Sequence, residues 1–232
     1  MTSAGRSKIF ENIRKSIGNN TDSASDRLAM ADRRIAARDP NTVPARAAGG
    51  PDALLALFIV EAEQVDATIA RVAAAADLPG AVVAYLSANA LPLRLRAAPQ
   101  ALLENVPWSQ QVGLDVTFGP TAGDDGAALS VAFRGIAETG TLALHSGPDG
   151  PTTLNFLPDH HLVVLPVSRL VGTYEAAWSA LRGIGNQTMP RTVNWITGPS
   201  RSADIDQTLL MGAHGPRSLH ILILDDQKDA QE

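Results

Sequence analysis

Predicted strands that alternate with predicted helices place this chain in the α/β class, with a mostly parallel sheet flanked by helices. The strands are short runs of apolar and β-branched residues, such as 193–197 and 219–224. The helices are longer segments in which apolar residues recur at steps of three and four. The 232 residues, 45% of them hydrophobic, provide enough material for one such domain.

The first 50 residues are predicted to form a helical arm rather than part of this domain. An apolar stripe at Ile9, Ile13 and Ile17 predicts one helix, and 26–37 is expected to form a second. A stretch rich in proline and glycine then interrupts regular structure. We therefore assign 1–50 to the arm.

The charge of the arm does not favour nucleic acid as a partner. Residues 1–50 carry nine basic and five acidic residues and a single aromatic residue, Phe10. Nucleic-acid binding usually requires a denser basic patch. We expect the arm to pack on its own domain or on a second copy of the chain, which would make the protein a homo-oligomer.

The domain itself is predicted over 51–225, and its first element is a long amphipathic helix. This helix begins at Pro51 and is stopped by Pro79 and Gly80. The later elements are expected in this order: a strand over 82–86, a helix over 99–105, a strand over 114–118, helical spacing over 129–136, strands over 141–145 and 162–166, a helix over 168–183, a strand over 193–197, a helix from 202, and a strand over 219–224. Residues 226–232 are expected to form a loose acidic tail.

Composition excludes several classes of function. The sequence has no cysteine, so it offers no disulfide, no thiolate nucleophile and no cysteine ligand for an iron–sulfur cluster. No apolar run approaches the ~20 residues that span a bilayer, and the first residues do not resemble a secretory signal. We expect a soluble, cytoplasmic protein that does not bind membranes.

Known catalytic and metal-binding motifs are missing from the sequence. There is no G-x-S-x-G, G-x-G-x-x-G or phosphate-binding P-loop pattern, and no H-E-x-x-H. His160 and His161 would point to opposite faces of a strand and so cannot readily share a metal ion. We expect no metal bound by the protein.

The segment 197–204 is the first candidate for a binding site. A predicted strand, a loop of small residues and a predicted helix start would expose free backbone N–H groups at a positive dipole end, where carboxylates and phosphates bind. Arg201 would add a bidentate contact to the anion. In the alternative interpretation, Ser200 or Ser202 merely caps the helix, and Asp204 complements its dipole.

A second candidate is the segment Glu138 to Thr141, which would lie with the first at the carboxyl edge of the sheet, where α/β proteins bind ligands. Glu138 could act as a general base, or it could be a solvated carboxylate before a turn at Gly140. His214 lies in a loop and could face a pocket or bind backbone. The two turns are predicted to converge on a small anion, with Glu138 and Arg201 on the same cleft.

Three motifs in this order resemble the LUD-domain family, and within it the lactate utilization protein C type. They are GIAETGTL at 135–142, LPDHHLVV at 157–164, and TGPSRSADI at 197–205 together with GAHGP at 212–216. The resemblance covers about 50–225. Ser202 stands where the family pattern suggests threonine, which keeps the hydroxyl.

The resemblance implies a fold similar to the sugar-phosphate isomerase and CoA-transferase superfamily (NagB/RpiA/CoA transferase-like). It also implies a role in oxidising L-lactate to pyruvate beside partner proteins that hold iron–sulfur clusters. The residues that match the motifs and are expected to bind ligand are Thr139, Gly140, Thr141, His161, Gly198, Pro199, Ser200, Arg201, Ser202, Asp204, His214 and Gly215, with Glu138 as the catalytic candidate.

Two functions from different classes stay open at this point. In the first, the chain is a non-redox subunit of a lactate-oxidising assembly that binds a small carboxylate or phosphate, or organises its partners, with no cofactor of its own. In the second, the chain is an enzyme that acts on a CoA ester or a sugar phosphate through Glu138. The second rests on fold analogy.

Overall fold

A computed structural model describes residues 3–17, 24–39, 42–184, 189–203 and 209–226. The chain divides into two compact units, Met1–Thr42 and Val43–Glu232. The first unit contains helices α1 (Ser3–Ile17) and α2 (Ala24–Ala37), which confirms both helices predicted for the arm. Apolar side chains on both helices are exposed, among them Phe10 and Leu28.

The second unit contains four further helices and twelve strands among its described residues. The helices are α3 (Pro51–Gln64), α4 (Leu78–Ala88), α5 (Ala101–Glu104) and α6 (Tyr174–Arg182). The strands are β1 (Thr68–Val72), β2 (Arg94–Ala97), β3 (Asp115–Phe118), β4 (Ala127–Val131), β5 (Arg134–Ile136), β6 (Thr141–His145), β7 (His160–Pro166), β8 (Leu170–Val171), β9 (Val193–Ile196), β10 (Arg201–Ala203), β11 (Leu209–Met211) and β12 (Ser218–Leu224).

Six strands form a parallel sheet in the order β1-β12-β7-β4-β2-β3. Two neighbouring inner strands of this sheet, β7 and β12, are mostly apolar and are buried after their first residue, as expected for strands covered on both faces. The predicted α/β class with a mostly parallel sheet is therefore confirmed.

A smaller sheet has the order β8-β5-β6-β9 and includes antiparallel pairs between β5 and β6 and between β6 and β9. The strands β10 and β11 form a separate antiparallel pair. The strand predicted over 193–197 is confirmed as β9, but it belongs to the smaller sheet.

The six-stranded sheet has an apolar core on each face, because alternate residues of its strands point to opposite sides. Leu222 and Val164 belong to the core that contains α4 and α5. Ile221 and Val163 belong to the core that contains α3 and β6. The second core is the one that carries the candidate site.

Two elements near the start of this unit differ from the predictions. The long helix predicted from Pro51 ends at Gln64, because Asp66 adopts a positive φ of 62° that a helix cannot continue through, and β1 follows. The strand predicted over 82–86 lies inside α4. A run of five apolar residues does not distinguish a buried strand from a buried helix.

Two predicted helices are strands in the structure. The helical spacing over 129–136 belongs to β4 and β5, and the helix predicted from 202 is replaced by β10 and β11. Gly212, expected to end that helix, instead turns the chain after β11 with a φ of 79°. The helix predicted over 168–183 begins later, at Tyr174, where Thr173 caps it.

The other predicted strands, over 114–118, 141–145, 162–166 and 219–224, are confirmed, as is the short helix within 99–105. None of the helices in the described part of the chain combines the length and hydropathy that a bilayer crossing requires.

Candidate functional site

The first and third sequence motifs meet through a cluster of hydroxyl groups. The Oγ1 atom of Thr141 lies 2.7 Å from Oγ1 of Thr197 and 2.9 Å from the hydroxyl of Tyr174. Thr139 joins the cluster, with its Oγ1 2.7 Å from Oγ1 of Thr141. The two turns therefore meet through their threonines, while the predicted cleft shared by Glu138 and Arg201 stays a prediction.

Two glycines of these motifs are explained by close backbone approach. Gly140 and Gly198 adopt φ values of 61° and 71°, which favour glycine. A Cβ on Gly140 would lie 2.3 Å from the nitrogen of Ala62, and one on Gly198 would lie 2.2 Å from the oxygen of Val65. Both turns therefore pack against the carboxyl end of α3. A larger residue at either glycine position would push its turn away from this helix.

Glu138 is buried and holds the start of α6. Its Oε1 atom accepts a hydrogen bond of 2.9 Å from the backbone nitrogen of Tyr174, the first residue of that helix. A carboxylate at a helix start is favoured by the dipole. The interpretation of Glu138 as a solvated carboxylate is thus wrong; the catalytic role stays a prediction.

Arg201 does not lie at a helix start, because it is the first residue of strand β10. Its guanidinium instead lies 2.7 Å from the carboxylate of Asp66. The anion site predicted at the start of a helix from 202 is therefore wrong in its geometry. Asp204 lies outside the described residues, and the structure describes only the backbone of Ser202.

A cavity of about 210 Å³, called here the motif cavity, joins the second and third motifs. Four of the ligand-binding residues predicted in the third motif line it, namely Gly198, Pro199, Ser200 and Gly215. His161 and His214 line it as well, with Asn155, Phe156, Trp195, Ile196, Thr197, Pro216 and Leu219. Glu138, Thr139, Gly140, Thr141 and Arg201 do not.

His161 is the polar group at the base of the motif cavity. Its ring is completely buried, and its Nε2 atom lies 3.3 Å from the hydroxyl of Ser130. Its Nδ1 atom is buried and has no hydrogen-bond partner among the described residues. Burial lowers the pKa of His161 to about 3, so the ring is neutral at neutral pH.

The motif cavity lies at the amino edge of the parallel sheet. The 197–204 segment that lines it was predicted to lie at the carboxyl edge, and that prediction is wrong. His161 is the second residue of β7, and Pro216 and Leu219 flank the start of β12. The error came from treating β9 as a strand of the parallel sheet, whereas it pairs with β6 in the smaller one.

A second cavity of about 360 Å³, called here the arginine cavity, does lie at the carboxyl edge. Its wall includes Val131 at the end of β4, together with Arg134 and Arg169. Asn155 lines both cavities. Sequence reasoning missed these arginines, although Arg169 comes just after the predicted strand 162–166, where the edge rule would have found it.

The two adjacent histidines of β7 face opposite sides of the sheet, as predicted. The Nδ1 atom of His160 lies 2.9 Å from the hydroxyl of Tyr85, whose ring also stacks on His220 at 4.3 Å. Burial lowers the pKa of His220 to about 4. No group of three potential metal ligands is found within the described ranges.

Known proteins contain sequences similar to the part of this chain that holds the motif cavity. Residues 124–224 match the model of the LUD domain. Over 125 residues, 53% of this chain and 47% of the relative, the sequence is 33% identical to the lactate utilization protein C of Bacillus subtilis. It is 43% identical over 98 residues to an uncharacterized protein of Neisseria meningitidis serogroup B, covering 42% of each chain.

These alignments span a little under half the length of the curated relatives they match. A crystal structure of a DUF162 family protein from Deinococcus radiodurans shares the fold, with a TM-score of 0.56 and 24% identity. That likeness covers 76% of this chain and 99% of the other. The region that matches the LUD-domain model, 124–224, contains His161, Ser200, His214 and the other residues that line the motif cavity.

Proposed function

Because residues 124–224 match the model of the LUD domain, we propose that this chain is a non-redox component of a system that oxidises L-lactate, and that it binds a small carboxylate in the motif cavity. The similarity to proteins named lactate utilization protein C supports the assignment to a lactate-oxidising system. The single observation that supports the binding site is the buried, unpartnered Nδ1 atom of His161.

An unpartnered buried nitrogen costs about 1–3 kcal/mol, a cost that a ligand can remove by supplying the missing hydrogen bond. The neutral ring has one donor and one acceptor nitrogen. If Nε2 donates to Ser130, Nδ1 accepts a hydrogen bond from the hydroxyl of a 2-hydroxy acid. In the other tautomer, Nδ1 donates to a carboxylate, so both groups of lactate suit this position.

The size and lining of the motif cavity also favour a small ligand. Its volume of about 210 Å³ is below the roughly 300–1,000 Å³ typical of sites for drug-sized ligands. Ser200 and Asn155 contribute polar groups to the wall, while Trp195 and Phe156 provide apolar surface. A methyl-bearing carboxylate of three carbons matches this mixture.

The same proposal assigns electron transfer to other proteins. This sequence has no cysteine with which to hold an iron–sulfur cluster, so the clusters would lie on iron–sulfur partner proteins. The chain would act in the cytoplasm and form a homo-oligomer through its N-terminal arm. Co-purification of cysteine-rich partners with the tagged chain from cells grown on L-lactate tests this part.

The binding site is tested by titrating the full chain with L-lactate and with pyruvate in a calorimeter. His161→Phe removes the unpartnered nitrogen and keeps the ring volume, so we expect lactate affinity to fall about 10- to 100-fold, as for a lost hydrogen bond to a charged ligand. His220→Phe is the matched control, because His220 is also buried but lies outside this cavity.

Gly215→Ala gives a second readout that does not depend on the histidine. A Cβ there would lie 3.4 Å from Cβ of Ser200, an ordinary contact, so the chain should fold while its cavity becomes smaller. We expect weaker lactate binding with an unchanged melting temperature. Equal lactate affinity in the wild type, His161→Phe and Gly215→Ala would refute this site.

A further inference from the structure

The arginine cavity brings two guanidinium groups together at the carboxyl edge of the parallel sheet. Arg134 begins β5, just after the end of β4, and Arg169 follows the end of β7. Both are half-buried and line the same space of about 360 Å³. Burial lowers the pKa of each guanidinium; the positive charge of Arg134 lowers that of Arg169 further, and the negative charge of Asp226 raises it.

Neither guanidinium forms an ion pair with a described residue. Over the described residues, no carboxylate lies within 4.0 Å of the Arg134 or Arg169 guanidinium, although five other arginines have such a partner. Asp149 also lines the cavity, but it makes no ion pair with either arginine. Two half-buried positive charges on the wall of one cavity repel each other, and an anion bound in that cavity would reduce the repulsion.

Each arginine is held in place by a backbone contact and keeps free donors. Arg134 donates to the oxygen of Phe133 at 2.9 Å and stacks on its ring, with Cζ 4.6 Å from the centroid. Arg169 donates to the oxygen of Ala132 at 2.8 Å. Since a guanidinium has five N–H groups, several donors on each remain for a ligand. The parallel N–H groups of a guanidinium held in this way can form two hydrogen bonds to two oxygen atoms of a phosphate.

Neutral polar groups complete the wall. Ser130, Gln100 and Asn155 line the same cavity. The side chain of Gln100 is fixed by bonds to the nitrogen and the oxygen of Val131, at 2.7 and 3.3 Å. The cavity is larger than a phosphate ion needs, which leaves room for an organic group bonded to it.

We propose that the arginine cavity is a second ligand site, distinct from the motif cavity, which binds the phosphate group of a small phosphorylated molecule between Arg134 and Arg169. This site does not depend on the carboxylate site proposed above. The two sites are neighbours, because Asn155 lines both and the hydroxyl of Ser130 contacts His161.

The test is a calorimetric titration of the full chain with inorganic phosphate and with glycerol 3-phosphate at constant ionic strength. Arg134→Gln and Arg169→Gln should each weaken phosphate binding at least 10-fold. Arg94→Gln is the matched control, because the Arg94 side chain is 76% exposed on the same sheet and lies outside this cavity. Tighter binding of glycerol 3-phosphate than of free phosphate indicates that the organic group is also bound.

Asp149→Asn keeps the test decisive if an arginine variant fails to fold. Removal of this negative charge from the wall should strengthen phosphate binding about 3-fold or more, a gain that misfolding cannot produce. Gly215→Ala, which changes only the motif cavity, should leave phosphate binding unchanged, and this separates the phosphate site from the carboxylate site. Phosphate affinity that is absent in the wild type, or unaffected by Arg134→Gln and Asp149→Asn, would overturn the proposal.

Discussion

His161 and His220 are buried imidazoles whose protonated form the fold disfavours. Their pKa values are lowered from 6.5 to about 3 and about 4, in both cases by burial. The unfolded chain therefore binds more protons than the folded one below pH 6.5. By linkage, the free energy of unfolding falls as the pH falls from 6.5 towards these lower values.

We predict that acidification from about pH 6.5 to about pH 5 reduces the free energy of unfolding by up to about 2 kcal/mol for each of these histidines. Urea denaturation at a series of pH values measures the loss. In His161→Phe the decrease in the free energy of unfolding should be smaller by the part that His161 contributes, because the imidazole is no longer present to bind a proton in the unfolded chain.

Gly80→Ala is the control for this experiment, because it changes no titratable group and should leave the pH dependence unchanged. A pH dependence that is identical in the wild type and in His161→Phe would show that the His161 ring is protonated in the folded protein.

At the scale of elements, the turn between β5 and β6 is fixed by its approach to α3. Gly140 brings its backbone so close to Ala62 that no side chain fits between them. Arg46 adds a second link, because it donates to the oxygen of Glu138 and pairs with Glu61 of α3, each at 2.6 Å. This position of the β5–β6 turn brings Thr141 into contact with Thr197, which lines the motif cavity.

We predict that Gly140→Ala lowers the free energy of unfolding by about 2 kcal/mol or more. The substitution forces a left-handed conformation on alanine and a clash with α3 backbone. Thermal and urea denaturation measure the effect. Gly80→Ala is the matched control: Gly80 lies in α4 with open space around it, and alanine there should be neutral or slightly stabilising. Equal stability of the two variants would contradict this account.

Elements were predictable where one local signal dominated. β7 and β12 are long apolar runs, and the stripe at Ile9, Ile13 and Ile17 marks α1. Prediction failed over 82–86 and 129–136. Apolar residues are so frequent in these segments that they fit the periodicity of a helix and that of a strand equally well. It also failed at Arg201, since serine and proline before an apolar segment are equally compatible with a helix cap and with a hairpin.

At the scale of the whole molecule, the arm and the body differ in how they bury apolar residues. Val43–Glu232 encloses two cores, whereas Ile9, Phe10 and Leu28 of the arm are 49%, 46% and 66% exposed. Apolar helices exposed in one copy are commonly covered by another. This is the physical basis for the proposed homo-oligomer.

We predict that Phe10→Glu converts the oligomer to a monomer, because a charge would have to be buried in the contact. Light scattering after size-exclusion chromatography at micromolar concentration measures the mass. Val112→Glu is the control, since Val112 is 91% exposed in the body and its replacement should leave the mass unchanged. A monomeric wild type, or an oligomer that survives Phe10→Glu, would refute this role of the arm.

The sequence by itself determined the α/β class, three of the six strands of the parallel sheet, and two motifs that supply much of the motif cavity. These features depend on local periodicity and on residue types, which are visible along the chain. Only the tertiary structure decided that β9 joins a second sheet, that Glu138 caps α6, that His161 lacks a partner for Nδ1, and that Arg134 and Arg169 face one cavity. The reason is that strand pairing and the burial of polar groups depend on residues far apart in the chain, whose approach no local pattern encodes.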